Sequence, residues 1–155
     1  MDIEQRLEEL AIELPEVPAP VANFVPYIIS GNQIIVSGTL PVERGELVGK
    51  GKVGESITPE EAADIARVCG INLLAVAKNA CGGNLSKIAR VVKLGIFVNS
   101  TTDFKDHPKV ANGVSDLMVD VFGKEKGAHA RFAVGAGSLP FGVAVEVDAI
   151  FEIAA

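Results

Sequence analysis

The chain has 155 residues, 48% hydrophobic and 22% charged, with a formal net charge of −6. That is enough for one domain with a real core, and too apolar for a disordered chain. The acidic balance, the lack of any five-residue basic run, a single Tyr and no Trp argue against a nucleic-acid groove or a base-stacking platform.

Residues 2–13 repeat Ile3, Leu7, Leu10 and Ala11 at helical spacing, which predicts an N-terminal helix packed on the domain surface. Pro15, Pro18 and Pro20 then predict an extended link, so residues 1–20 are set apart from a single domain over 21–155. The start, Met-Asp-Ile-Glu-Gln-Arg, is charged from the second residue and reads as no signal peptide. No apolar run approaches the ~20 residues of a membrane span, and a cytoplasmic protein is expected.

Val21 to Pro41 predicts a hairpin: Phe24–Ile29 as an edge strand containing Pro26, a turn at Ser30-Gly31-Asn32-Gln33, and Ile34–Ser37 as the second strand. Val42 to Ile57 is rich in glycine and charge and predicts a long loop bordering a site, with a short strand near Lys50–Val53. Thr58-Pro59-Glu60-Glu61 carries a capping residue, a proline suited to the first helical position and the glutamate of a capping box. The helix should run to about Ala80, burying Ala62, Ile65, Ala66, Cys69, Leu73, Val76, Ala77 and Ala80, and end at Gly82-Gly83. Cys69 and Cys81 would stand about 18 Å apart on it, too far for a disulfide. Both read as buried thiols of a reducing compartment.

Ile88 to Asn99 is apolar on both faces apart from Arg90 and Lys93 and predicts a central strand. Asp106-His107-Pro108 opens a second helix, about Lys109 to Phe122, with the stripe Val110, Val114, Leu117 and Val121, followed by a charged turn at Gly123–Gly127. Ala130 to Ile150 then reads as two strands joined by a turn, a C-terminal hairpin. The expected architecture is α+β: one mixed sheet with both helices on one face. So apolar a short chain predicts that other subunits cover the second face.

The C-terminal pair of strands carries the candidate chemistry. Arg131 stands in an otherwise uncharged run and Glu146 stands among valines, and charges in such strands are costly unless paired or used. A guanidinium binds a planar carboxylate bidentately, and a carboxylate moves protons to and from water or an amine. Each residue also has a purely structural reading. Arg131 can form an ion pair with Asp148 or Glu146, and Glu146 can belong to an outward acidic row with Asp148 and Glu152. His107 and His129 lack partners at metal-ligand spacing, no Cys-x-x-Cys exists, and Gly135-x-Gly137 opens no helix, so neither a metal nor a phosphate loop is expected.

Several stretches resemble the RidA family, also called YjgF-type or L-PSP-type proteins, with a chorismate-mutase-like fold. They are Ile34-Ile35-Val36-Ser37-Gly38-Thr39-Leu40-Pro41, Val91–Val98, Val110-Ala111-Asn112, and above all Arg131 through Leu139-Pro140 to Val145-Glu146-Val147-Asp148-Ala149-Ile150. The N-terminal helix lies outside that common core and looks like a subgroup feature. The resemblance implies a homotrimer with clefts between subunits. It implies hydrolysis of reactive enamines and imines, such as 2-aminoacrylate, to a 2-keto acid and ammonia, with no cofactor. A non-catalytic binder of a small carboxylate metabolite, or an endoribonuclease, are the other readings.

On that resemblance Arg131 holds the substrate carboxylate and Glu146 activates the attacking water. Phe24, Ser37, Gly38, Asn112 and Ala133 form the substrate-binding surround. Phe24 stands where the archetype carries a tyrosine, and Ala133 where many members carry cysteine. Ala111 is inserted before Asn112, and the spacing from Asn112 to Arg131 is longer than usual. On the residues alone, Ser37 also reads as a strand-end hydroxyl bonding its turn, and Asn112 as a helix-surface amide.

Overall fold

A computed structural model describes residues 2–17 and 22–155. The link expected at Pro18, Ala19 and Pro20, and the start of the first hairpin at Val21, lie outside the described residues.

Helix α1 (Ile3–Glu9) is capped by Asp2, whose carboxylate accepts from the Glu4 N–H at 3.0 Å. Ile3 and Leu7 are buried in the hydrophobic core, and Glu4 accepts from the Leu85 N–H at 2.9 Å. Strands β1 (Tyr27–Ser30) and β2 (Gln33–Thr39) form the first hairpin around Gly31-Asn32. Gly31 has φ +63°, the left-handed backbone that a two-residue hairpin turn requires. The first strand is shorter than expected: Pro26 has no N–H to give β2, although its carbonyl accepts from the Ser37 N–H at 2.9 Å.

The loop that follows is not structureless. Strands β3 (Val42–Glu43) and β4 (Glu46–Leu47) make a small ribbon turned at Arg44-Gly45, both at positive φ. The strand expected near Lys50–Val53 is absent. Lys50 makes a single bridge to Val143, and Val53 bridges Ile57 and Ser100. Glycines at 49, 51 and 54, all with positive φ, interrupt any continuous ladder there.

Helix α2 (Pro59–Ala80) forms as its capping signature predicts. Thr58 Oγ1 accepts from the Glu61 N–H at 3.1 Å, and Glu61 returns a bond to the Thr58 N–H at 3.2 Å. Strand β5 (Ile88–Asn99) precedes helix α3 (His107–Gly127), which is broken at Gly123 (φ +88°) just after Phe122. Strands β6 (Ala130–Ala136) and β7 (Val145–Ile153) complete the chain.

The main sheet runs β1-β2-β7-β5-β6 and is mixed: β5 and β6 are parallel, and the other pairs are antiparallel. The C-terminal hairpin expected over 130–150 is therefore not formed. α3 carries the chain back along β5, so β6 joins β5 in parallel through a helical crossover. β7 takes the opposite edge of β5, between it and β2. There Val145, Val147, Ala149 and Phe151 are buried against the helices. Both long helices pack on that one face, with Leu73, Val114, Leu117, Leu94 and Ile96 in the core between them.

α2 and α3 approach closely at Gly113, where an added Cβ would collide with the Ala63 carbonyl oxygen. A backbone atom cannot swing aside, so Gly113→Ala should destabilise by about 2 kcal/mol despite alanine's better helix propensity. At this chain length that corresponds to a fall in Tm of roughly 4–8 °C. An unchanged Tm in a thermal melt would contradict this contact.

Candidate functional site

Alternation along β7 decides where the two charged residues point. Its buried residues face the helices, so Glu146, Asp148, Ile150 and Glu152 lie on the open face. On β6, Phe132 belongs to that open face as well. It touches the position a Cβ on Gly95 would take, beside Asp148, and stacks edge-on against Phe97 at 5.4 Å. Arg131 and Ala133 therefore lie on the helix side. Arg131 and Glu146 point to opposite faces of one sheet, each with its own cluster of neighbours.

The Arg131 cluster is built on α3. Arg131 Nη1 donates to Asn112 Oδ1 and to Ser115 Oγ, both at 2.9 Å, and Nη2 makes a long 3.5 Å bond to the Pro108 carbonyl. Ser115 Oγ lies 2.9 Å from His129 Nε2, and His129 Nδ1 lies 2.7 Å from the Gly127 carbonyl. A carbonyl only accepts, so Nδ1 carries a proton, and in the neutral ring Nε2 then accepts from the Ser115 hydroxyl. All bonds in the chain then run one way, from guanidinium through hydroxyl and imidazole to the backbone. Arg131 makes no ion pair among the described residues, so the structural pairing with Asp148 or Glu146 is not formed. The result is an exposed cation held in place by neutral acceptors, with three of its five N–H groups used. Ala133 sits two residues along on the same side and packs against the core. The structure places none of its atoms in the Arg131 bonding network.

The second cluster sets Gly38 against Glu146, and Gly38 shares a cavity lining with Phe24 and Ser37. β2 slips register against β7 between Val36 and Thr39, which brings Gly38 against the Glu146 carboxylate. A Cβ on residue 38 would overlap Glu146 Oε2, so glycine is what leaves room for the carboxylate. Glu146 is half-buried, and burial, followed by the neighbouring Asp148 charge, raises its pKa above the ordinary carboxylate value. Asp148 is raised by burial as well, offset in part by a backbone N–H and by Lys93. Ser37 Oγ donates to the Val25 carbonyl at 2.6 Å, which is its strand-end reading. A cavity of about 350 Å³ opens beside Gly38, walled by Phe24, Pro26, Leu47, Val76 and Phe141, with Asn72 also in its lining.

Ser115, His129 and Lys52 were not singled out as candidates from the sequence. Ser115 is three residues after Asn112 on α3, so helical spacing already aims both at one neighbour. His129 is placed by the turn at Gly127, which no periodicity reveals. Lys52 Nζ donates to Asn99 Oδ1 and the Gly137 carbonyl, both at 2.8 Å, and to the Ser100 carbonyl at 3.3 Å. It ties the loop before α2 to the segment after β6. No described helix is long and apolar enough to cross a membrane.

Comparison with known proteins accounts for this framework. The sequence model of the family described as "YjgF/chorismate mutase-like, putative endoribonuclease" matches residues 4–152, beginning within α1. The chain belongs to the YjgF/chorismate mutase-like family. It is 46% identical over 147 residues to Protein TCP17 of Trypanosoma cruzi, covering 95% of this chain and 91% of that protein. Among solved structures it is similar to Atu1372 of Agrobacterium tumefaciens, a protein of unknown function. That match has 48% identity, a TM-score of 0.89, and coverage of 97% of this chain and 93% of the other. It also matches a Shewanella oneidensis protein titled "putative endoribonuclease", with 34% identity, a TM-score of 0.94, and coverage of 99% and 100%. The YjgF-type fold is thus shared along nearly the whole chain, including the strand order that separates Arg131 from Glu146.

Proposed function

We propose that the protein hydrolyses reactive 2-imino and enamino acids, of the 2-aminoacrylate type, to 2-keto acids and ammonia, in clefts formed between the copies of a homotrimer. The observation that supports this reading most is the separation of Arg131 and Glu146 on opposite sheet faces. Within one chain they cannot act on one small molecule, whereas two copies meeting edge to face would supply one each. Ile28 and Ile35, 54% and 41% exposed, are neighbours on the open face with Ile150, an apolar strip suited to cover by another copy.

In this mechanism the Arg131 fork holds the substrate carboxylate and fixes the position of C2. Glu146, as carboxylate, takes a proton from water while the water oxygen attacks C2 of the imine. Nitrogen takes that proton back, which completes the neutral carbinolamine. Glu146 then relays the new hydroxyl's proton to nitrogen as the C–N bond breaks, so ammonia leaves and the keto acid remains. Imine and water yield keto acid and ammonia, with no redox change and no required cofactor.

Two other readings have specific support. Phe24 supplies no hydroxyl in the second cluster, which suits a protein that holds a small carboxylate without turning it over. The name of the Shewanella relative suits an endoribonuclease, against which the net charge of −6 counts. Ammonia release from freshly generated 2-aminoacrylate separates them. Acceleration by the parent protein is expected, whereas none, with retained carboxylate binding, would favour the binding protein. Salt-sensitive RNA cleavage lost in Arg131→Ala would favour the nuclease.

A further inference from the structure

The bonds that reach Arg131 leave its guanidinium one usable edge. A planar carboxylate pairs bidentately with two parallel N–H groups, either end-on from Nη1 and Nη2 or side-on from Nε and Nη2. Both Nη1 hydrogens have acceptors, Asn112 Oδ1 and Ser115 Oγ, each at 2.9 Å. End-on docking is therefore closed. Nε has no acceptor among the described residues, and Nη2 has only the 3.5 Å contact to the Pro108 carbonyl, at the limit of a hydrogen bond.

Ser115 is the partner whose orientation needs support. A serine hydroxyl turns freely, so its oxygen faces a cation steadily only when its own proton is engaged elsewhere. Ser115 is 9% exposed, and His129 Nε2 stands 2.9 Å from its Oγ. The Gly127 carbonyl, 2.7 Å from Nδ1, holds the ring proton there and leaves Nε2 as the acceptor in the neutral ring. Gly127 is itself buried against α3, where an added Cβ would meet the Met118 carbonyl oxygen. The support thus runs from packed backbone through imidazole and hydroxyl to Nη1.

We propose that Ser115 and His129 are positioning residues for carboxylate capture: they occupy Nη1 and present the Nε–Nη2 edge of Arg131 to the substrate. Neither touches the substrate. The inference rests on the reading that Arg131 holds the substrate carboxylate. A side-on pair makes carboxylate and guanidinium coplanar, so the orientation of the guanidinium sets where C2 lies.

The test is a double-mutant cycle in the full chain, read as kcat/KM for freshly generated 2-aminoacrylate and as the Kd of pyruvate, its keto-acid product, by calorimetry. In the parent background Ser115→Ala should lower kcat/KM by roughly 10- to 100-fold and weaken pyruvate by about 10-fold, because small displacements of a positioning group are costly. In the Arg131→Lys background the same change should cost less than about 2-fold, since an ammonium is a point charge with no edge to steer. A serine that serves only the packing of α3 would cost the same in both. His129→Phe, a ring without the acceptor, should act like Ser115→Ala and add nothing to it, and it carries the cycle if a thermal melt shows Ser115→Ala unfolded. Equal losses in the two backgrounds, or no loss in the parent, overturn the inference and leave the hydrolase reading intact. A parent that binds pyruvate with the expected cycle yet accelerates no hydrolysis sinks the hydrolase reading alone. A parent that does neither sinks both.

Discussion

Arg131→Ala should lower kcat/KM for imine hydrolysis by a factor on the order of 10²–10³, with Tm nearly unchanged. Removing a charged hydrogen-bonding partner of a carboxylate costs about 2–5 kcal/mol. The fold loses little, because the guanidinium is exposed and its partners are an exposed amide, a carbonyl and a serine that keeps His129. Arg131→Lys sharpens the test. It keeps the charge but loses the fork, so activity should recover only in part, staying roughly 10-fold or more below the parent. Steady-state kinetics beside a melting curve checks both. Full activity in Arg131→Ala would remove the arginine from the mechanism.

Glu146→Gln should lower kcat by about 10²–10⁴-fold, the usual worth of a positioned general base. The amide fits the space left by Gly38, so a fold defect is not expected. The parent's pH profile gives a second reading of the same residue. The base must be ionised, so activity falls as pH falls through its pKa. Burial and the Asp148 charge raise that pKa, so the acid limb should begin above the range of an ordinary glutamate. Asp148→Asn removes one like charge and should move the limb toward lower pH. A limb at an unperturbed carboxylate value, or one unmoved by Asp148→Asn, would contradict the role assigned to Glu146.

Local signals carried most of the fold. Thr58-Pro59-Glu60-Glu61 starts a helix by its own bonding, and the stripes on α2 and α3 bury by their spacing, with Ile65 and Ala80 only partly covered, because these are interactions within a few residues. The strand order was not legible. Ala130 to Ile150 has the pattern of a hairpin, yet β5, from 30 to 40 residues earlier, lies between its two strands, and only non-local pairing decides that. Arg131 and Glu146 each face their side through pairing with β5 rather than through a shared turn. Gly38 does lie against Glu146, Ser37 and Phe24 share a cavity lining with Gly38, and Asn112 does meet Arg131. Ser115 and Asn72 escaped notice, and His129 was weighed only as a metal ligand, because a hydroxyl, an amide and an imidazole acquire meaning only from what stands opposite.

The central claim is that each site draws Arg131 from one subunit and Glu146 from another. Arg131→Ala and Glu146→Gln proteins, each inactive alone, should be unfolded together in equal amounts and refolded, and the mixed assemblies isolated through two different tags. In a cyclic assembly with one site at each contact, random mixing gives a site with both residues intact roughly a quarter of the time. About a quarter of the parental rate should therefore return in the full refolded mixture. Mixed assemblies no more active than either variant alone would contradict a site shared between subunits.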